Sequence, residues 1–298
     1  MNGWINIYKP RGISSAKAVS LVKRIFKGSK VGHTGTLDVE AEGVLPIAIG
    51  AATKLVDILI NAKKQYAFTI KFGAKTDTAD NTGKVIEATE HIPSQGECHE
   101  VCAKFLGIIE QIPPAYSALK INGQRAYKLA RQDRQVQLNK RNINTYDLKC
   151  TNYDQKQGTA SYICKCSKGT YIRTLAEDIS LSLQSLGFVI ELRRLRVGMF
   201  DLKTAIDISS YAEIDFGEAK KLLQDKCLKV EDVLDDIPVL EASDDCTRKI
   251  RFGQICQFDD DQNYDLVWVR NNGHIVAIGS LLDRNFKSSR VFNYRQGE

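Results

Sequence analysis

The amino-acid sequence predicts an α+β fold: a mixed body of strands and helices, then a small β-rich end. Three observations predict it. Residues 65–72 alternate strictly, with Tyr66, Phe68, Ile70 and Phe72 on one side and Gln65, Ala67, Thr69 and Lys71 on the other, as in a half-buried strand. Helix-period segments stand between such strands at irregular spacing, unlike the even repeat of a doubly wound parallel sheet. The charge then changes sign, because residues 225–265 carry twelve acidic against five basic side chains. Pro238 lies in that stretch, and we place a domain division there, into residues 1–235 and 236–298.

The elements follow in order. Ser14 and Ser15 are good N-caps for a helix to residue 26, with Val19, Val22 and Phe26 on one face. The 65–72 strand ends at Gly73 and enters a polar loop, residues 76–83. A helix is expected over 96–106, and Pro113-Pro114 blocks any continuation. Asn122-Gly123 marks a turn before a helix through Ala130. Residues 141–153 and 159–167 read as a hairpin. Thr170 is placed to cap a helix running to residue 186, and 191–200 reads as a strand. Beyond the division, 265–269, 274–279 and 289–294 read as short strands.

Composition narrows the class. With 43% hydrophobic and 26% charged residues, the 298-residue chain has globular chemistry and no disorder signature. No apolar run reaches the length of a membrane span. The opening MNGWINIYKPRG lacks the apolar segment of a secretory signal, which points to the cytoplasm. Eight scattered cysteines are accordingly expected as reduced thiols. Cys98-His99-x-x-Cys102 invites a zinc reading, but on a helix His99 points away from the face shared by the cysteines. No metal site is expected.

Charge is segregated along the chain. Residues 1–37 hold Lys9, Arg11, Lys17, Lys23, Arg24, Lys27 and Lys30 and no acid, and residues 120–149 hold eight bases against two acids. Arg193-Arg194-Leu195-Arg196 adds a third cluster. A solvated face explains any one run; together they point to a surface for a polyanion.

The first carboxylate in the chain is Asp38, within GHTGTLDVEAEGVLP at residues 32–46. It sits among Gly35, Thr36, Ala41 and Gly43, small residues that let backbone N–H groups approach a ligand. The apolar run 45–49 can hold such a loop on a buried element. Either a catalytic aspartate on a supported loop or an ordinary turn with an Asx cap fits the residues alone. Gly28-x-x-x-Gly32-His33-Thr34 imitates a phosphate loop but is one residue short and lacks the Lys-Ser/Thr ending.

The order G-x-L-D-x-x-A-x-G-x-L-P at residues 35–46 closely resembles the catalytic segment of the bacterial tRNA pseudouridine synthases of the TruB family. Four further blocks follow the same family in order. They are Lys9-Pro10-x-Gly12-x-Ser14-Ser15; Lys64-x-Tyr66 with Gly73-x-x-Thr76-Asp77-Thr78-x-Asp80-x-x-Gly83; Gln111-x-Pro113-Pro114-x-Tyr116-Ser117-Ala118-x-Lys120-x-x-Gly123; and Cys166-Ser167-x-Gly169-Thr170-Tyr171-Ile172-Arg173-x-Leu175 with Leu192-Arg193-Arg194. Two positions depart from the pattern, Asp133 and Ser180, where glycine is usual. The likeness covers residues 3–200 and is looser afterwards.

The resemblance implies a mainly antiparallel catalytic sheet of pseudouridine-synthase type and a small C-terminal PUA-like RNA-binding domain. It implies isomerisation of uridine 55 in the T-arm loop of tRNA, with the base flipped out and no metal or cofactor. It makes Asp38 the nucleophile and Arg173 its charge partner. Tyr66 would stack on the base and move a proton at C5, Tyr171 and Leu192 would wall the pocket, and His33 and Lys9 would meet the RNA. The implied partner is tRNA alone, bound by a monomer. Two alternatives stay open: an RNA-binding or RNA-folding protein without catalysis, and a guide-RNA-dependent synthase. Attack on the base or on the sugar also stays open.

Overall fold

Large apolar side chains at every second position make Lys64–Phe72 a strand with Phe68, Ile70 and Phe72 buried. In the computed structural model, which describes residues 1–114, 120–121, 124–125, 138–211 and 214–293, this strand is central to a ten-stranded sheet. The order is Ile206–Asp207, Gly3–Lys9, Glu42–Ile49, Gly187–Val197, Lys64–Phe72, Thr159–Cys166, Arg141–Asp154, Gly107–Gln111. Val31–His33 adds to Glu42–Ile49, and Phe200–Asp201 to Gly187–Val197. Within this sheet, among the described residues, two pairings are parallel, Gly3–Lys9 with Ile206–Asp207 and Gly187–Val197 with Glu42–Ile49. The others are antiparallel, so the chain adopts the expected α+β class with a mixed, mainly antiparallel sheet.

Local signals set most elements, and tertiary packing moved their ends. Ser14 caps the helix Ser15–Ile25, its hydroxyl accepting from the Lys17 N–H. The buried face is Ala18, Leu21, Val22 and Ile25, with Phe26 beyond it, while Val19 is only partly covered. The expected 96–106 helix is an α-helix, Gln95–Glu100, continued by a 3₁₀ segment, Val101–Phe105. Its start is a capping box of Ser94 and Glu97. The 141–167 hairpin forms as read. Thr170 is not the cap expected for the next helix: its hydroxyl donates to the Ser167 carbonyl, and Tyr171 holds the N-cap position of Ile172–Ser182. That helix stops short of residue 186 because Gln184 takes a positive φ of 54° and the Ser185 N–H closes back on the Ser180 carbonyl. Gly198, at φ 53°, likewise breaks the expected 191–200 strand into Gly187–Val197 and Phe200–Asp201. Lys120–Ile121 and Gln124–Arg125 pair across the expected Asn122-Gly123 turn. The turn itself, the helix through Ala130, the Tyr116-Ser117-Ala118 block and Asp133 lie outside the described residues.

Ser180 shows how a departure from a pattern is accommodated. It is fully buried, its hydroxyl donates to the Ala176 carbonyl, and a Cβ at Gly187 would collide with that hydroxyl. Glycine fits on the strand where the Ser180 hydroxyl and the Ile70 side chain both fill the space a Cβ would take.

Two apolar cores lie against the large sheet. One packs Phe68, Ile70, Phe72 and Tyr162 against Leu175, Ala176 and Ile179 of the Ile172–Ser182 helix; the other packs Ile5, Leu45 and Ile47 against Val22, Ile25 and Leu223. Tyr66 and Leu192 touch both. A five-stranded sheet, ordered Val239–Glu241, Tyr264–Asn271, His274–Leu282, Asn285–Val291, Cys256–Gln257, forms the C-terminal part. Its strands extend the three short ones expected, the last displaced toward the N-terminus. We place the domain division between Leu234 and Val239, where the chain changes sheet. The two sheets are not separate bodies, because Trp268, Ile275, Ile278 and Phe292 share a core with Trp4, Val44, Ala48 and Val197.

The thiol expectation needs correction. Cys246, on the helix Asp244–Arg251, is disulfide-bonded to Cys256 on the neighbouring short strand. The turn after the helix brings the two Cα atoms to 5.8 Å, a proximity that sequence separation does not reveal. The other six cysteines are free, with Cys98 and Cys102 in the core and His99 exposed on the far side of its helix. Among the described residues, no helix is long and apolar enough to cross a membrane.

Gly43 limits how closely the sheet can close. Its φ is 111°, and a Cβ there would run into the backbone of Arg194 on the parallel neighbour. Gly43→Ala is expected to lower stability by about 3 kcal/mol through strain and a forced strand separation. An unchanged urea midpoint would contradict this.

Candidate active site

The Asp38 loop is held from beneath by the first motif of the chain. The Ser15 hydroxyl donates to the Leu37 carbonyl at 3.0 Å and accepts from the Leu37 N–H at 2.9 Å. Leu37 itself is buried, and the Gly12 N–H donates to the Val39 carbonyl at 2.9 Å. Lys9, expected to meet the RNA, is instead fully buried, its ammonium donating to the carbonyls of Pro10, Ile13 and Val39 at 2.9, 2.8 and 3.3 Å. Burial pulls Lys9 down to about 8, against the opposing pull of Asp38 and Glu40. Lys9 therefore braces the loop. His33 ends the strand Val31–His33 half-buried, and its Nδ1 accepts from the Gly35 N–H at 3.2 Å, shaping the loop's entry. The imitation of a phosphate loop has the wrong geometry, because here a helix precedes the glycines and a strand follows.

Arg173 is the second residue of its helix and almost wholly buried. Its Nε lies 3.0 Å from Asp38 Oδ2, and its Nη1 donates to the Thr78 carbonyl at 2.9 Å and lies 3.5 Å from Asp80 Oδ2. Asp80 is the residue that sequence reasoning did not assign, although it lies in a quoted motif. Its Oδ1 accepts from the hydroxyls of Thr78 and Thr82 and from the Thr82 N–H, so the carboxylate is fixed before it meets the arginine. The Asp38 side chain is 46% exposed and that of Arg173 only 6%, so the carboxylate can reach a substrate while its partner stays behind it.

Tyr66, Tyr171 and Leu192 converge on the same place. A cleft of about 440 Å³ is lined by Thr36, Leu37, Asp38, Tyr66, Thr170, Tyr171, Ile172, Arg173 and Leu192. A second, about 250 Å³, shares Asp38, Arg173 and Leu192 with it and is lined further by Glu40, Asp80 and Asn81. Tyr66 comes from the central strand and Leu192 from its neighbour, both at the seam between the two cores. Tyr171 is held by Gln111, whose side chain accepts from the Tyr171 N–H at 2.8 Å and donates to its carbonyl at 3.0 Å. Burial pushes the Tyr66 phenol up, opposed by the positive charge of Arg194. Among the described residues no three His, Cys, Asp or Glu side chains gather as a metal site.

A carboxylate open to a cleft, paired to one arginine and walled by a tyrosine and a leucine, can supply a nucleophile beside a flat ligand. The family model for TruB family pseudouridylate synthases, N-terminal domain, matches residues 23–172. The tRNA pseudouridine synthase B of Rickettsia bellii strain OSU 85-389 is 59% identical over 98% of this chain and 99% of its own length. That of Rickettsia felis is 51% identical over 97% and 98%. The chain belongs to the TruB family of pseudouridylate synthases.

The fold agrees. An H/ACA ribonucleoprotein bound to a substrate RNA containing 2′-deoxyuridine superposes with a TM-score of 0.70 over 99% of this chain and 86% of the other, at 22% identity. A Cbf5–Nop10–Gar1 complex gives 0.70 at 24% identity, over 98% and 84%. This pseudouridylate synthase thus has the family's mixed catalytic sheet and a curled, PUA-like C-terminal sheet. If the Asp80 contact positions Arg173 for Asp38, Asp80→Asn should leave the fold intact and lower turnover about 100-fold by misplacing the pair. Wild-type turnover in a pseudouridine-formation assay would show that Thr78 and Asp38 suffice.

Proposed function

We propose that this pseudouridylate synthase converts uridine 55 in the T-arm loop of tRNA to pseudouridine, acting as a single chain in the cytoplasm without guide RNA or cofactor. The reaction cuts N1–C1′, turns the uracil and joins C5 to C1′. One proton leaves C5 and one arrives at N1, so no atom or electron is gained and no redox carrier is called for. The observation that carries this reading is the half-exposed Asp38 carboxylate facing the cleft with Arg173 buried behind it. A carboxylate open to the cleft and oriented by one arginine is placed to act as a nucleophile.

Asp38 forms the covalent intermediate, whether at C1′ of the sugar or on the base. Tyr66 stacks on the flipped uracil, offsetting the cost of removing it from the RNA stack by about 1–3 kcal/mol. Its hydroxyl carries the C5 proton. Tyr171 and Leu192 hold the base edge-on, and His33 meets the opened loop of the RNA. The exposed lysines 23, 27 and 30 and Arg24, near the start of the chain, serve the phosphate backbone. The names of the relatives, tRNA pseudouridine synthase B, support tRNA as the substrate.

Asp38→Asn tests the chemistry. Turnover on a tRNA transcript should fall on the order of 10⁶-fold, the scale of removing a nucleophile, while fold and tRNA affinity persist. Loss of tRNA binding together with thermal stability would make Asp38 a structural turn residue. Activity of the wild-type chain only after a guide RNA is added would overturn the single-chain reading in favour of a guide-dependent enzyme. The basic surface has its own measurement. Log K should fall linearly with log salt, and alanine at Lys23, Lys27 or Lys30 should each reduce that slope by about 1 with little sequence preference. A salt-independent affinity would remove these residues from the RNA face.

A further inference from the structure

Arg194 is 1% exposed, and nothing in the reaction described so far uses it. Strand pairing sets it directly opposite Tyr66 on one side and Gly43 on the other. Its Nε donates to the Val44 carbonyl at 2.8 Å and its Nη2 to the Gly35 carbonyl at 3.1 Å. Cross-strand register also sets the guanidinium beside the Tyr66 side chain, placed to donate to its oxygen. One rigid fork thus spans the strand that follows the Asp38 loop, the loop itself and the tyrosine that lines the cleft.

The direction of these bonds matters. A guanidinium has five donors, no acceptor and no accessible neutral form. The Tyr66 oxygen can only accept from it, so the phenol must send its own proton elsewhere. Besides Arg194 it has the buried Cys166 thiol near it and, on its open side, the cleft with Asp38, Tyr171 and Leu192. The fixed positive charge also favours any negative charge that collects on the oxygen when that proton leaves. A buried arginine serving only to join strands would need the carbonyl bonds but not the tyrosine.

We propose that Arg194 is a positioning residue for the Tyr66 hydroxyl, holding the phenol oxygen as an acceptor so that its O–H points at the base. This rests on the reading of Tyr66 as the proton carrier. The relay balances: the oxygen gives its proton to the nitrogen freed at N1, directly or through water, and takes the C5 proton in its place. Arg194 stays protonated throughout and stabilises the oxygen between the two transfers.

The test is a double-mutant cycle on single-turnover rates with tRNA affinity measured alongside. Arg194→Lys keeps the charge but replaces the fork with one head that cannot span three oxygens. It should slow chemistry about 100-fold, the scale of one proton-transfer group, with affinity near wild type. In a Tyr66→Phe background the same change should cost less than about 2-fold, because its target hydroxyl is already gone. A loss of equal size in both backgrounds would overturn the inference and leave the Tyr66 reading standing. Wild-type turnover of Tyr66→Phe would overturn the Tyr66 reading itself, and the inference with it. Should Arg194→Lys fail to fold, the wild-type protein decides by NMR. Slowly exchanging Arg194 Nη protons close to the Tyr66 ring are expected, and rapid bulk exchange of those protons would refute the contact.

Discussion

The structure turns on the burial of one guanidinium. Arg173 is 5% exposed, and an unpaired charge at that depth would cost several kcal/mol. Satisfying it draws together three segments distant in the chain: the loop of Asp38, the turn of Thr78 and Asp80, and the start of the Ile172–Ser182 helix. Asp38 meets Nε, and Thr78 and Asp80 meet Nη1, of the one planar group that the helix carries. The arrangement fixes Asp38 from behind while leaving its outer oxygen to the cleft. The pair lines both clefts.

Around that pair the protein buries further cations and satisfies them with carbonyl oxygens. Lys9 takes three carbonyls beneath the Asp38 loop. Lys64 takes three at the end of the helix Val56–Asn61, those of Leu59, Ile60 and Ala62, where the helix dipole is negative. Burial draws Lys64, like Lys9, down to about 8. Arg194 takes Val44 and Gly35. Carbonyl oxygens thus fix Lys9 and Arg194 around the Asp38 loop and the strand that follows it, and Lys64 at a helix end.

Rigidity comes from the seam. Tyr66 and Leu192 touch the cores on both halves of the sheet, and the strands carrying them are antiparallel neighbours. A base between them would rest on side chains fixed by dense packing on two sides. The C-terminal sheet adds to this through Trp4, whose indole N–H donates to the Val230 carbonyl and whose ring lies in the core shared by both sheets. The two sheets therefore share one apolar core and do not pack as independent units.

Much was legible from sequence because its causes are local. The alternation of residues 65–72, the Ser14 cap, the hairpin at 141–167 and the small-residue loop around Asp38 each depend on neighbours in the chain. The ordered motifs carried the family, and with it Asp38, Tyr66, Arg173, Tyr171 and Leu192 as one constellation. Other features had no local cause. Lys9 reads as a basic residue available to RNA, and only folding shows the three carbonyls around it. Asp80 lies in a motif, but its contact with Arg173 spans 93 residues of chain. Gln111 and Tyr171 meet across 60 residues, and Cys246 and Cys256 meet because a helix turns back. The sequence by itself determined the fold class, the strand periods and, through its ordered motifs, the family. The tertiary structure decided which buried charges face which oxygens, because those distances come from the closing of the sheet and not from spacing along the chain.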